Sequence, residues 1–110
     1  MNSQSITVIN VFTAKPGRLD ELVELQKAAL PLFRGKVPGL QTSRFYRSLD
    51  DGKAVLVSVF DTREHFESFR QSELFAAHRA RLAPLLEGAN PGIYEQVYRS
   101  TNIERDAAAA

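Results

Sequence analysis

A chain of 110 residues has room for one domain, and 44% apolar with 25% charged residues describes a chain that folds around a core. Its formal charge of +1 is too weak a field to collect nucleic acid or an anionic membrane, so neither is expected as a partner. The absence of cysteine excludes disulfides, thiolate zinc sites, iron–sulfur clusters and a cysteine nucleophile. The polar opening Met1-Asn-Ser-Gln-Ser5 is unlike a secretory leader and no apolar run approaches membrane-spanning length, so a cytoplasmic address is expected.

Taken in chain order, Ile6–Thr13 is rich in Ile, Val, Thr and Phe and predicts a strand. Pro16-Gly17 marks a turn, because proline presets φ and glycine accepts a positive one. Arg18–Arg34 predicts a helix, with Leu19, Leu22, Val23, Gln26, Leu30 and Phe33 recurring at helical spacing. Asp20, Glu21 and Glu24 suit its N-terminal end, Arg34 its other end, Gly35 can stop it, and Pro31 should kink or shorten it. After a turn at Pro38-Gly39, Leu40–Ser48 and Lys53–Phe60 form a hairpin closed at Asp51-Gly52. Asp61 or Thr62 caps a helix carrying Phe66 and Phe69, with Glu64 able to complete a capping box with Asp61. Ser72 caps a further helix bearing Leu74, Phe75, His78 and Leu82, which Pro84 ends. Pro91-Gly92 is a third turn, Ile93–Ser100 the last strand, and residues 101–110 a flexible tail, leaving residues 6–100 as the domain.

The order β-α-β-β-α-β with short connections implies an α+β, ferredoxin-like sandwich: a four-stranded antiparallel sheet with its helices on one face. Strands one and three are apolar on both sides, as central strands are. Strands two and four are mixed, as edges are. Helices cover only one face, so Ile9 and Val11, or else Val8 and Phe12, must point away from them, together with one set from Val55–Val59. An exposed apolar patch of that kind is expected to meet a second copy, giving a homodimer.

The fold itself names no function, so the residues must. Strand three has no Arg/Lys-Gly-aromatic signature for stacking RNA bases, and no dinucleotide, phosphate-loop or nucleophile-elbow motif occurs. Asp50 and Asp51 flank a hairpin turn, where acidic residues serve the backbone. Asn10 stands out in mid-strand beside Val8 and Phe12, where asparagine is depleted, so it either bridges local backbone groups or aims at a ligand. His78 lies about 40° around its helix from Leu74 and from Leu82, inside the apolar stripe. It is either a hydrogen-bonded core residue or a functional base. Two histidines thirteen positions apart, His65 and His78, make no metal-ligand spacing, and no metal is expected. Phe12, Phe60, Phe66, Phe69 and Phe75 either fill the core or wall a flat apolar pocket; Arg44 and Tyr46 share one face of strand two.

The stretches Val8-Ile-Asn-Val-Phe-Thr-Ala-Lys-Pro-Gly17, Val37-Pro-Gly-Leu40, Tyr46-Arg-Ser-Leu-Asp50 and Val57-Ser-Val-Phe60 resemble the antibiotic biosynthesis monooxygenase family. The resemblance covers roughly residues 6–100 and implies a dimeric α+β barrel with a cavity between helices and sheet in each subunit. It also implies a choice among cofactor-independent oxygenation of polyketide phenols, quinol oxygenation and haem degradation. The chain departs from the family at Phe60, where many members carry tryptophan, and at Phe69, where many carry histidine. His78 is one residue out of step with the iron ligand of haem-degrading members.

Together these features give the expectation of a cofactor-free monooxygenase acting on a small phenolic, quinol or polyketide-like aromatic and molecular oxygen. Asn10 and Arg44 would steady oxyanions and His78 would act as base, with Phe12, Tyr46, Phe60, Phe66 and Phe69 binding the ring. The alternatives are a haem-binding or haem-degrading protein and a non-catalytic, small-ligand-binding dimeric domain.

Overall fold

In the computed structural model, which describes residues 5–102, the chain runs β1 (Ile6–Ala14), α1 (Leu19–Phe33), β2 (Leu40–Arg47), β3 (Lys53–Phe60), α2 (Arg63–Arg70), α3 (Glu73–Leu82) and β4 (Leu86–Tyr94). A 3-10 turn at Ala83–Leu85 carries Pro84 and ends α3, as proline there should. The strands form one antiparallel sheet in the order β2-β3-β1-β4, the ferredoxin-like arrangement. The two strands that are apolar on both sides are its centre.

Local chemistry accounts for the element ends. Thr62 caps α2 by accepting from the His65 N–H at 3.1 Å, and Ser72 caps α3 by accepting from Phe75 N–H at 3.1 Å. Asp61 makes no capping box; its carboxylate instead accepts from Gln41 Nε2 at 2.8 Å. Pro31 is absorbed in the last turn of α1, which stops two residues later at Phe33. Gly39, with φ +81°, lies so close under the His65 ring that any Cβ would collide with it. Gly52, at φ +72°, closes the β2–β3 hairpin as expected.

The last strand departs from the sequence reading. It occupies Leu86–Tyr94 rather than Ile93–Ser100, and Pro91-Gly92 lies inside it, opposite Asn10 and Ile9, rather than in a turn. The segment Glu-Gly-Ala-Asn-Pro-Gly has poor strand propensity, but β1 offers an unpaired edge that residues 86–94 satisfy, and tertiary pairing wins. Pro91 is tolerated because β4 is an edge strand. Residues 95–102 are exposed and form no regular element. Most of the expected tail, residues 103–110, lies outside the described residues.

Cross-strand partners share a face, so the register assigns every side chain. Val8, Asn10, Phe12 and Ala14 of β1 point to the helices together with Ala54, Leu56, Ser58 and Phe60 of β3. Ile9, Val11, Val55, Val57 and Val59 point to the opposite, helix-free face, where they are only partly buried. The buried core under the helices divides into two clusters. One gathers Phe12, Ala14, Leu22, Ala54, Leu82 and Leu85; the other gathers Val8, Val37, Phe60 and Phe66, with Phe33, Phe69 and Leu74 packed against it.

Candidate active site

Between the two clusters lies a polar seam. Asn10 is the β1 residue between Phe12 of one cluster and Val8 of the other. His78 is one turn of α3 from Leu82 of the first cluster and one turn from Leu74 of the second. Gln26 occupies the corresponding place on α1, between Leu22 and Phe33. Each element thus interrupts its own apolar stripe with one polar side chain, and the hydrogen bond between Gln26 and His78 joins two of the three.

His78 is 9% exposed, and its Nε2 lies 2.8 Å from Gln26 Oε1. Its other ring nitrogen, Nδ1, is buried with no hydrogen-bond partner in the protein, and so is Asn10 Oδ1. Buried polar atoms are nearly always paired, so two orphans in one seam are unusual. Ser58, the buried polar residue of the sheet, is by contrast satisfied by Ser43 at 3.2 Å. Burial, and secondarily the nearby Arg81 guanidinium, hold the His78 imidazole below its ordinary pKa of 6.5, which favours its neutral, proton-accepting form at neutral pH.

An aromatic wall flanks the histidine. Phe33 stands edge-on to the His78 ring at 5.0 Å between centroids, and Phe33 in turn meets Phe69 at 6.0 Å. Phe69 also contacts Phe60 at 5.9 Å and Phe75 at 5.1 Å, and Phe60 contacts Phe66 at 5.4 Å. Phe60, Phe66 and Phe69 are therefore brought together as expected from the sequence. Phe12 belongs to the other cluster, where it packs on Phe45 at 6.4 Å.

Arg44 and Tyr46 do not join them. They pair with Val57 and Val55 and so stand on the helix-free face, with the sheet between them and Asn10. A one-residue shift exchanges the faces of a strand, and the irregularity between Leu40 and Thr42 sets the register seen, with Ser43 and Phe45 inward. From the sequence, Gln26 and Phe33 are ordinary members of the α1 stripe. A glutamine at a core-facing helical position was the available signal.

Two surface depressions lie away from the seam. One of about 270 Å³ is lined by Arg63, Glu64, Glu67, Ser68 and Gln71 on α2. The other, of about 490 Å³, opens between Ser5, Thr7, Gln41, Val59, Glu95 and Gln96. Neither borders Asn10 or His78. Among the described residues no group of three His, Asp or Glu side chains could hold a metal, and no helix is long and apolar enough to cross a membrane.

No curated protein matches the chain. Its fold is shared by a Bordetella bronchiseptica protein named for antibiotic biosynthesis monooxygenases, with a TM-score of 0.78 at 22% identity over 87% of this chain and 100% of that one. A Nitrosomonas europaea protein named likewise gives a TM-score of 0.75 at 17% identity, covering 92% and 98%. SnoaB of Streptomyces nogalater, a cofactor-independent oxygenase solved as a point mutant, gives 0.76 at 20% identity, covering 88% and 97%. The family model "Antibiotic biosynthesis monooxygenase" matches residues 5–81, a span that holds β1 through most of α3 and with them Asn10, Gln26 and His78. The chain belongs to the antibiotic biosynthesis monooxygenase family.

Proposed function

We propose that the chain is a cofactor-independent oxygenase of a small phenol or quinol, and that the polar seam is where the ring reacts. The observation that carries this reading is the pair of buried, unpartnered acceptors, Asn10 Oδ1 and His78 Nδ1, beside an aromatic wall. A flat ring bearing hydroxyl donors complements both. Kinship with SnoaB in fold, and family membership, support the chemistry.

The reaction asks little of the protein. A neutral His78 takes the phenolic proton, and the phenolate, in a site with little water, is electron-rich enough to reduce oxygen. A phenol with a free para carbon then gives a quinone and water: one oxygen atom ends on the ring, the other in water, and the substrate supplies all four electrons. Asn10 accepts from a hydroxyl of the bound substrate and its amide N–H can donate to the oxyanion that develops. Phe33, Phe60 and Phe69 exchange contacts with one another for contacts with the incoming ring. Arg44, on the far face, has no part in this step.

The functional unit is proposed to be a homodimer that buries the helix-free face. Support comes from the row Ile9, Val11, Val55, Val57 and Val59, with Tyr46 and Tyr94 half exposed beside it.

A second reading has its own observation. The phenylalanines already pack on each other at 5.1–6.0 Å, so the same core serves a binding or structural domain without turnover. Oxygen uptake by the purified protein over a panel of phenols and hydroquinones separates the two. The oxygenase reading expects uptake that falls about a hundredfold or more in His78→Ala. Ring binding without uptake in any member of the panel favours the second.

A further inference from the structure

We infer that Gln26 is a positioning residue that fixes the tautomer of His78, so that the ring carries its proton on Nε2 and offers Nδ1 as the proton-accepting atom. The inference rests on the proposed role of His78 for its functional meaning, but not for its chemistry.

A neutral imidazole has one donor and one acceptor nitrogen, and the partner of one decides the role of the other. Gln26 Oε1 is an acceptor only, and it lies 2.8 Å from Nε2. That contact is a hydrogen bond only if Nε2 carries the proton and donates. Nδ1 is then left with its lone pair. The burial of Nδ1 without a partner makes the same choice independently. The opposite tautomer would bury an unpaired N–H, which is rarer in proteins than an under-satisfied acceptor. Phe33, edge-on to the ring at 80° and 5.0 Å, holds the imidazole plane and limits the flip that would exchange the two nitrogens.

The arrangement is built across elements. Gln26 belongs to α1 and His78 to α3, 52 residues apart, so the bond also ties together the two helices that roof the seam. Without Gln26 the ring would distribute its proton over both nitrogens, and only part of the population would present a lone pair to a substrate hydroxyl. The chain contains two histidines, so His78 is assigned by comparison with a His65→Gln variant.

The test is two-dimensional ¹⁵N–¹H spectroscopy of the histidine rings above the titration range. It is run on the intact protein without substrate, for wild type, Gln26→Leu and Gln26→Glu. Wild type should show one neutral tautomer, protonated on Nε2. Gln26→Leu, which keeps the bulk and removes the acceptor, should give a mixture. Gln26→Glu, which keeps an oxygen at the same reach, should restore the single form and raise the pH at which the ring titrates. With a turned-over phenol, Gln26→Leu should lower kcat by a factor of only a few with little change in KM, because the rings that still carry their proton on Nε2 remain competent. Gln26→Glu should recover the rate. A wild-type ring protonated on Nδ1 overturns the inference, as does a Gln26→Leu spectrum unchanged from wild type. Because the spectra need no substrate, an absence of oxygenase activity overturns the proposed function and leaves the tautomer assignment standing.

Discussion

Replacing Asn10 by valine should make the protein more stable and less active at once. Asn10 sits in the central strand, opposite Leu56 on one side and Pro91 on the other, with its Oδ1 buried and unpartnered. A buried polar group without a partner costs about 1–3 kcal/mol. Valine removes that cost and suits a strand better than asparagine by up to about 1 kcal/mol. It also brings a branched apolar side chain between Val8 and Phe12, where the two clusters nearly meet. Some of the gain is lost to imperfect packing, so the expected net stabilisation is about 1–2 kcal/mol. In a domain of this size each kcal/mol raises Tm by roughly 4–8 °C. Thermal and urea unfolding followed by circular dichroism would measure the change, with chain concentration held fixed because an assembling protein melts higher when concentrated. Oxygen uptake should fall about a hundredfold or more in the same variant. A loss of about 1 kcal/mol or more, with activity kept in the folded fraction, would refute the reasoning. It would mean that the amide serves the fold through partners that valine cannot replace.

Four further outcomes are expected. Because burial lowers the pKa of His78, both folded and unfolded chains hold it neutral above its ordinary value of 6.5. As pH falls below that, the unfolded chain takes up the proton first, so a pH series of urea titrations should show stability dropping on the acid side, with the drop reduced in His78→Ala. The acid limb of kcat/KM should likewise lie below 6.5, and a limb above it would contradict the burial argument. Light scattering at micromolar concentration should give about twice the 12.3 kDa chain mass, and Val57→Lys should shift it toward one chain, since an unpaired charge buried at an interface costs several kcal/mol. Oxygenase activity should survive dialysis against a chelator; stoichiometric metal whose removal abolishes activity would overturn that expectation.

What was legible in the chain follows the range of the interactions involved. The caps at Thr62 and Ser72, the turn at Gly39 and the hairpin at Gly52 depend on two to four neighbouring residues, and those residue types carry the chemistry themselves. The central place of β1 and β3 was visible because a strand covered on both sides is apolar on both sides. β4 was not visible. Its pairing is chosen by the vacant edge of β1, and of the better strand formers at 93–100 only Ile93 and Tyr94 pair with it, opposite Val8 and Thr7. The face of Arg44 was equally hidden, because it depends on an irregularity at Leu40–Thr42 that no local signal announces. Asn10 could be singled out as a polar residue in an apolar strand. Gln26 offered the same signal on α1, but its partner is 52 positions away, and only the packed helices reveal what it holds.

The seam is the feature that a purely structural account explains least well. Asn10, Gln26 and His78 come from three different elements, yet each falls between the same two apolar clusters. If their task were to hold the fold, their donors and acceptors would answer one another. One pair does, Gln26 with His78, while Asn10 Oδ1 and His78 Nδ1 go without. Apolar residues at these three positions would merge the clusters into one continuous core and remove two orphaned acceptors, each a cost of about 1–3 kcal/mol. A domain of about 100 residues has only some 5–15 kcal/mol of stability in all, so the seam gives up a large share of it. On the proposed reading, a bound molecule with hydroxyl donors would restore both missing hydrogen bonds. The two orphans are acceptors in a core otherwise walled by aromatic rings, which is why the proposed substrate is a hydroxylated ring and not an apolar or anionic molecule.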